Sequence, residues 1–486
     1  MQLKRVLESD KASIFITTAS TVFCHMLTYV YGIITRRYVM PYEYGLYITS
    51  NMLLVYSNYL QLGILNSYNR DYPQLLGIGK NDEAKHMKSA VITFLSLFYA
   101  VAVVLASAVL FFLYQRGVMA YRLYVSLLAN TVFAWFSVCT SFWDNTLRSE
   151  KKFNYVSFVM IVKTIILIGF GLFLVPRLKY WGLFIAVGVS LVVAFLLDNR
   201  YIRTLRFTWD PTLIFSLMRG GFLLLINSLV WTLMMSIDKF IILFFMSYEE
   251  LGIYSVALLG FSTLVLIPQS ISSVLYVKAA RRYGSHQDKY DLVETVNIYT
   301  FVLSIVTSVV CIGAYYILPP FIKLAMPDYV GGVRPAQMLI MGVGVYSSSM
   351  LFGNVFTLLK KNVIVIKNTI ILCILNVILS SGFVLLFGKN ILYVAIGTTI
   401  AYTLYGIMLA VTLPRISGNS ILTCLINSVF PVFIAIVFLQ LTDLMNFNCT
   451  VKMCIAAFSY TTVIFLLFKK RILIIAKSSM LSPDKN

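Results

Sequence analysis

Long apolar stretches separated by short polar segments are the dominant pattern along this chain of 486 residues. Stretches such as Ala12–Ile34 and Ala90–Tyr114 exceed the roughly 20 apolar residues that cross about 30 Å of hydrocarbon. They are too long and too rich in leucine for the ten-residue alternation of a membrane β-barrel. The pattern predicts an all-α integral membrane protein with fourteen transmembrane helices, over residues 12–35, 45–68, 89–114, 121–146, 155–175, 181–198, 220–246, 251–275, 295–318, 334–358, 363–387, 391–413, 421–441 and 450–468.

Composition and charge agree with this pattern and add an orientation. The chain is 59% hydrophobic and 12% charged, which excludes a water-soluble globular domain. Most of the 39 lysine and arginine residues lie in alternate connecting segments, on the side that also holds the N-terminus. The positive-inside rule therefore predicts that both termini are cytoplasmic. The net charge of +20 then describes an inner surface that faces anionic lipid, and nucleic-acid binding is the poorer interpretation.

Short phrases recur in the same order along the two halves of the chain. The phrase "YEYGLY" (Tyr42–Tyr47) is echoed by "EELGIY" (Glu249–Tyr254), and "KKF…KTIIL" (Lys151–Leu167) is echoed by "KKN…NTIIL" (Lys360–Leu372). The echoes are separated by 205 to 209 residues, so six helices lie between them and both copies have one orientation. This predicts two pseudo-symmetric six-helix bundles, residues 1–205 and 206–414, as in many transporters. Residues 415–486 would add two further transmembrane helices and a cytoplasmic tail.

Four diffuse motifs resemble those of a transporter family. They are "YGLY" (Tyr44–Tyr47), "QLGILNSYNRDYP" (Gln61–Pro73), "SIDKFIILFFMSYEELGIYSVA" (Ser236–Ala257) and "RSEKKF" (Arg148–Phe153). With the helix count and the repeat, the chain resembles the polysaccharide-biosynthesis branch of the multidrug/oligosaccharidyl-lipid/polysaccharide exporter superfamily, which includes Wzx-type flippases. The resemblance implies a protein of the bacterial cytoplasmic membrane that moves undecaprenyl-pyrophosphate-linked oligosaccharide repeat units to the outer leaflet. It further implies two lobes that rock around a central cavity, and other polysaccharide assembly proteins as partners.

A cargo of this kind needs cations for its pyrophosphate, and arginine suits phosphate groups because its guanidinium is planar and always charged. Charged groups within the membrane are costly and are therefore functional candidates. The candidates for a cationic path are Arg36, Arg37, Arg148, Lys163, Arg219 and Lys239. Each also has a structural interpretation. Arg148 could pair with Asp144 four residues earlier on one helix face, and Lys163 could extend its ammonium toward a carbonyl or an acid.

Other polar residues in the apolar stretches are candidates for a cavity lining or for ion coupling. Tyr47, Asn51, Asn58, Gln61 and Tyr68 form one stripe on the second helix, and Asn227, Trp231, Met234 and Asp238 form another on the seventh. The alternative is that these side chains form hydrogen bonds between helices. Asp144 and Asp238 are candidate coupling acids, and Asp238 could instead interlock the two halves. His25 is a candidate proton carrier or a packing residue.

No catalytic arrangement is visible, since the chain lacks a P-loop, zinc-ligand spacing and an arguable Ser-His-Asp set. The sequence therefore predicts a non-enzyme without a metal or cofactor, driven by a proton or sodium gradient or by the gradient of its own cargo.

Three other functions remain open at this stage. A lipid II flippase fits the helix count equally well. A cation-coupled drug exporter fits less well, because residues 12–35 contain no acid. A membrane-embedded glycosyltransferase would commonly have a larger outer loop than Pro319–Arg334.

Overall fold

The protein, described here by a computed structural model over residues 2–202 and 207–480, is all-helical in this part of the chain. Eight α-helices precede Ser236: α1 (Gln2–Tyr38), α2 (Pro41–Ser57), α3 (Ile64–Gly77), α4 (Asn81–Gln115), α5 (Tyr121–Ser149), α6 (Phe153–Leu178), α7 (Tyr180–Ile202) and α8 (Pro211–Met234). Nine follow it: α9 (Ile237–Phe245), α10 (Tyr248–His286), α11 (Lys289–Ala325), α12 (Val333–Leu358), α13 (Asn362–Phe387), α14 (Ile391–Ser417), α15 (Ile421–Ser428), α16 (Phe430–Asp443) and α17 (Cys449–Met480).

Helix length and exposed apolar surface confirm the membrane class. Within the described residues, twelve helical segments are long and apolar enough to cross a membrane. In α4, only 11% of the most apolar stretch is buried, and Val104 and Leu105 are more than 60% exposed. A helix that leaves so much apolar surface uncovered is stable in lipid and not in water. The count of fourteen spans is not confirmed, because predicted spans 12–35 and 45–68 are not among the twelve.

The prediction of one continuous helix over residues 45–68 is wrong. Helix α2 ends at Ser57, a 3₁₀ turn covers Asn58–Gln61, and α3 begins at Ile64. Leu62 and Gly63 adopt positive φ angles of 53° and 89°, which no helix can include. A Cβ on Gly63 would lie 2.7 Å from the carbonyl carbon of Gly221 in α8, so only glycine permits this approach. The close crossing of the two backbones therefore accompanies the break.

Two other predicted spans are also interrupted. The span 220–246 divides into α8 and α9 around Met235 and Ser236, and the span 421–441 divides into α15 and α16 at Val429. Pro431 lies two residues after Val429, at the second position of α16. Proline cannot donate the backbone hydrogen bond that would continue the preceding helix, which explains the second interruption.

The described contacts divide the chain into two compact units. The first comprises Met1–Thr232 with Tyr248–Gly252, and the second comprises Leu233–Ser247 with Ile253–Asn486. The predicted boundary at residues 205 and 206 lies in 203–206, outside the described residues. The division into residues 1–205, 206–414 and 415–486 therefore stays a prediction.

The core of the first unit lies where α3, α4, α5 and α8 meet. Its largest fully buried side chains are Tyr68, Tyr99, Phe142 and Trp143, and the rings of Tyr68 and Phe142 are 5.2 Å apart. Helix α6 packs against α1 and α7, and α7 also packs against α5. These contacts position the charged residues of α5, α6 and α7 close to one another.

The second unit is built around α11, α12, α13 and α14, with α9 packed against α13 and α14. Helices α16 and α17 pack against α11 through a cluster that includes Tyr315, Tyr316, Leu439 and Tyr460. The Oη atom of Tyr315 donates a hydrogen bond to the Asp443 carboxylate at 2.5 Å. The helices of the C-terminal region are therefore attached to the second unit.

The two echoed glycine phrases meet in space, within the first unit. A Cβ on Gly45 would lie 2.6 Å from the carbonyl carbon of Tyr248, and one on Gly252 would lie 2.6 Å from that of Pro41. Small residues allow membrane helices to approach closely in this way. The repeated glycine thus has a structural explanation, because each one allows the backbone beside the other copy to approach closely.

Candidate functional site

A cluster of four charged residues lies inside the first unit. Asp144 and Arg148 come from α5, Lys163 from α6 and Asp198 from α7. Asp144 lies within electrostatic range of both Lys163 and Arg148, and Lys163 also interacts with Asp198. Asp198 is 1% exposed, while Arg148 is exposed at the end of α5. The two acids and two bases give the cluster no net charge, which lowers the free-energy cost of keeping the Lys163 ammonium within the membrane.

Three of these four residues, Asp144, Arg148 and Lys163, were predicted from the sequence. Asp198 was predicted only as the last residue of the span 181–198 and not as a candidate for the site. Its burial depends on the packing of α7 against α5 and α6, which a single sequence does not show. The sequence offered one signal for a role of Asp198. An acid ends one apolar stretch, and a lysine, Lys163, lies in the apolar stretch before it.

The turn between α5 and α6 carries a second charged cluster, centred on Glu150. Its Oε1 atom accepts hydrogen bonds from Lys88 Nζ at 2.9 Å and from Tyr72 Oη at 2.9 Å. Its Oε2 atom accepts from Lys152 Nζ at 2.6 Å. Burial opposes ionisation, but the hydrogen bonds from Lys152 and Lys88 outweigh it and lower the pKa of Glu150. Glu150 therefore fastens α3 and α4 to the turn between α5 and α6.

The arginine pair at the end of α1 separates into one buried and one exposed residue. The Arg36 side chain is 6% exposed, and its guanidinium lies 4.3 Å from the centre of the Tyr44 ring. Its Nη1 atom donates a 2.6 Å hydrogen bond to the Gly32 carbonyl. Arg37 is exposed. A desolvated cation over an aromatic face is the stronger form of this interaction, so Arg36 is held firmly in place.

The predicted polar stripe of the second helix is divided by the break between α2 and α3. Gln61 is buried, and its Oε1 atom accepts the Leu65 backbone N–H at 2.8 Å. Asn58 donates to the Leu54 carbonyl at 3.1 Å. Gln61 thus satisfies a backbone donor in the first turn of α3, and the Leu54 carbonyl near the end of α2 accepts from both Asn58 and Ser57 Oγ. Asn51 is half-buried, and the assignment of the three amide residues to a cavity lining stays a prediction.

The second predicted stripe is divided by the interruption after α8. Arg219 and Asn227 in α8 are exposed, whereas Met234 is 1% exposed. Asp238 lies beyond the interruption, in α9, and is 5% exposed. The four stripe positions therefore do not share one continuous helix face. His25, in the middle of α1, is exposed.

A buried hydrogen-bond network in the second unit surrounds the Asp238 carboxylate. Tyr254 Oη lies 2.5 Å from Oδ2, while Thr398 Oγ1 lies 2.7 Å and Asn376 Nδ2 3.4 Å from Oδ1. Ser380 Oγ donates to Asn376 Oδ1 at 2.8 Å. Asp238 thus connects α9 with α10, α13 and α14.

All five side chains of this network are at most 5% exposed. A buried carboxylate needs such partners, because an unsatisfied charge in hydrocarbon is costly. Lys239, the next residue, is half-buried and interacts electrostatically with Asp238. The partners Asn376, Ser380 and Thr398 were not found from the sequence, although Asn376 and Ser380 stand one helical turn apart in an apolar stretch.

Within the described residues, no group of three or more His, Cys, Asp or Glu side chains is placed to hold a metal ion. The charged clusters instead combine acids with lysine, arginine or hydroxyl groups. Such arrangements can bind anions, exchange partners with a charged cargo, or stabilise the bundle.

Comparison with known proteins gives matches in structure and none in sequence. No family model matches the chain, and no curated protein matches its sequence. The fold is similar to that of the lipid II flippase MurJ in an inward closed conformation, with a TM-score of 0.70 and 16% identity over 94% of this chain and 100% of the other.

Two further similar structures are MATE transporters. A multidrug resistance MATE transporter of the MOP superfamily, in an inward-facing conformation, gives a TM-score of 0.66 with 13% identity over 80% of this chain and 95% of the other. A MATE transporter of Vibrio cholerae gives 0.57 with 12% identity, over 85% of this chain and 98% of the other. The chain therefore shares its overall fold with a lipid II flippase and with MATE transporters.

Proposed function

We propose that the protein is a flippase for undecaprenyl-pyrophosphate-linked oligosaccharide repeat units. It would move them from the inner to the outer leaflet of the bacterial cytoplasmic membrane, with both of its termini in the cytoplasm. The observation that carries the proposal is the fold shared with a lipid II flippase over 94% of this chain and all of the other. The cargo named for that protein is a lipid-linked molecule, and the MATE match with the higher TM-score covers 80% of this chain.

The proposal includes two matched six-helix bundles followed by two additional transmembrane segments. Helix pairings support this repeat: α1 packs on α6 as α9 packs on α13, and α4 packs on α5 as α11 packs on α12. The turns after α5 and α12 support it independently. Lys151 and Lys360 occupy equivalent places in the echoed phrases and have φ angles of 59° and 55°.

The charges within and beside the spans support an anionic cargo. Residues 12–35 contain no acid that could exchange a proton for a cationic drug, whereas α1 ends with the buried Arg36. In this proposal Arg36 and Arg37 receive the pyrophosphate on the outer side, and Arg148 and Arg219 meet it on the inner side. Lys163 and Lys239 belong to the path between them.

The energy source in this proposal is a proton or sodium gradient, or the gradient of the cargo itself. His25, Asp144 and Asp238 are the proposed coupling residues. Asp238 would have to exchange the Tyr254 and Thr398 hydroxyls for an ion, since both contact its carboxylate. Other polysaccharide assembly proteins are the proposed partners.

A second candidate function is lipid II transport itself. The match to the lipid II flippase favours it directly. The two cargoes differ in their sugars and share a pyrophosphate, so the same cationic residues would serve both. Deletion of the gene separates them, because a sole lipid II flippase would be required for growth. Multidrug export is the third candidate, on the basis of the MATE matches.

The deciding experiment is deletion of the gene in the source bacterium. We expect loss of surface polysaccharide together with accumulation of undecaprenyl-linked repeat units inside the cell. In complementation, Arg36→Ala, Arg148→Ala and Lys163→Ala should each weaken polysaccharide display without lowering the amount of protein in the membrane. Lys323→Ala, which alters an exposed lysine at the end of α11, is the matched control. Full display by all three variants would refute the cationic path.

A further inference from the structure

A cavity of about 320 Å³ lies at one end of the second unit, where four helices begin or end. Its lining comes from the end of α10, the start of α11, and the turn between α12 and α13. The lining residues are Tyr283, Gly284, Gln287, Lys289, Leu358, Leu359, Lys360 and Lys361. None of these residues belongs to the path proposed for the cargo. We propose that this cavity binds a phosphate group.

The charge of the cavity is the first argument. Lys289, Lys360 and Lys361 contribute three ammonium groups, and no carboxylate of the described part of the chain forms an ion pair with them. The two nearest acids in sequence are occupied elsewhere. Asp288 accepts the Tyr290 backbone N–H at 2.8 Å, and Asp291 receives both nitrogens of the Arg282 fork at 2.7 and 2.8 Å. The three lysines around the cavity therefore have no ion-pair partner among the described carboxylates, which leaves them available to an anion from outside the chain.

The equivalent corner of the first unit provides an internal comparison. There Glu150 precedes Lys151 and Lys152, and its carboxylate holds Lys88, Lys152 and Tyr72. In the second unit Leu359 stands at the position of Glu150, while Lys360 repeats the left-handed turn of Lys151. The second corner thus keeps the turn and the lysines but lacks the internal acid. A bound anion would take the place of that carboxylate.

The level of the cavity relative to the membrane favours phosphate as the anion. The four candidate spans around it end at Gly284 and Leu358 and begin at Lys289 and Asn362, so the cavity lies at the membrane surface. Lipid phosphates occupy this level, and lysines near an anionic membrane are favoured there. The Tyr283 phenol and the Gln287 amide can add neutral hydrogen bonds to phosphate oxygens. The same chemistry would accept a lipid headgroup or a free phosphate.

The test uses the full-length protein in two kinds of nanodisc. One kind contains phosphatidylglycerol in phosphatidylcholine, and the other contains phosphatidylcholine alone with inorganic phosphate added to the buffer. Native mass spectrometry counts the phosphatidylglycerol molecules that stay bound, and thermal unfolding measures the effect of free phosphate. The central variant is Leu359→Glu, which supplies the acid present in the first unit. Leu359→Gln is its uncharged control of the same size.

We expect Leu359→Glu and the double variant Lys360→Gln/Lys361→Gln to lose phosphate binding, whereas Leu359→Gln and Lys151→Gln keep it. Each lysine removed should weaken binding about fivefold, and two about 25-fold. Loss in the phosphatidylglycerol arm alone identifies a lipid headgroup, and loss in the inorganic phosphate arm alone identifies a soluble phosphate. Binding by Leu359→Glu equal to that of Leu359→Gln in both arms would overturn the proposal.

Discussion

The Asp238 network allows the sharpest stability prediction. In Asp238→Ala, the Thr398 hydroxyl can turn to Asn376 Oδ1, which lies 3.1 Å away, but Tyr254 loses its described acceptor. A buried donor left unsatisfied costs about 1–3 kcal/mol, and loss of the carboxylate volume adds to this. We therefore expect a loss of about 2–4 kcal/mol, which exceeds the roughly 1–2 kcal/mol of a single hydrogen bond between membrane helices because an unsatisfied donor and a lost side-chain volume add together.

The substitution Asp238→Asn tests the same reasoning more finely. Its amide oxygen can still accept from Thr398, while its NH₂ group faces Tyr254 Oη, which must then accept a hydrogen bond instead of donating one. Asp238→Asn should therefore lose only about half as much free energy of unfolding as Asp238→Ala. Asp82→Ala is the control, because that side chain is fully exposed and lies 3.7 Å from Lys85.

The assay is thermal unfolding of the purified protein in detergent, followed by far-ultraviolet circular dichroism, because all five tryptophans lie in the first unit and would not report on the second. With about 2–4 °C per kcal/mol for a unit of this size, Asp238→Ala should lower the apparent Tm by about 5–10 °C. Asp82→Ala should stay within about 1 °C of the wild type, since exposed ion pairs contribute little. If Asp238→Ala unfolds at the wild-type temperature, or Asp238→Asn is no better than Asp238→Ala, the network does not hold the second unit together.

Two further predictions concern backbone contact and pH. Gly252→Ala places a Cβ against the Pro41 carbonyl and should lower the free energy of unfolding by about 1–3 kcal/mol. The control is Gly313→Ala in α11, whose Cβ meets nothing within 4 Å and should be neutral or stabilising. Equal Tm values for the two variants would contradict the close backbone contact at Gly252. Because the pKa of Glu150 is lowered by folding, its stabilisation is present above the usual pKa of a glutamate and is lost as the pH falls through the lowered value. The Tm difference between the wild type and Glu150→Gln should therefore be largest at pH 7 and shrink below about pH 4; a constant difference would show that the charge of Glu150 does not matter.

The sequence predicted the membrane class and the position of most spans, because long apolar stretches need only local hydropathy to be recognised. It did not predict the break at Leu62 and Gly63. Hydropathy continues through these residues, and the positive φ angles accompany a contact with Gly221, more than 150 residues away. The division of Arg36 and Arg37 into buried and exposed residues likewise depends on Tyr44, which lies in the next helix.

The candidate site shows the same limit. Asp144, Lys163 and Asp238 were recognised because ionisable residues are rare in apolar stretches. Their partners Asp198, Thr398 and Asn376 come from other helices, and their own stretches give little sign of a role. Tyr254 is an exception, since it ends the echoed phrase "EELGIY" that the repeat had already marked.

The proposed function is transport of an anionic, lipid-linked oligosaccharide across the membrane. The most direct measurement reconstitutes the purified protein in liposomes that contain an undecaprenyl-pyrophosphate-linked oligosaccharide, and follows its exposure in the outer leaflet with an added lectin. We expect rapid exposure with the wild type, slower exposure with Arg36→Ala, and no uptake of a cationic dye. Transport of the dye with no movement of the lipid-linked oligosaccharide would contradict the account.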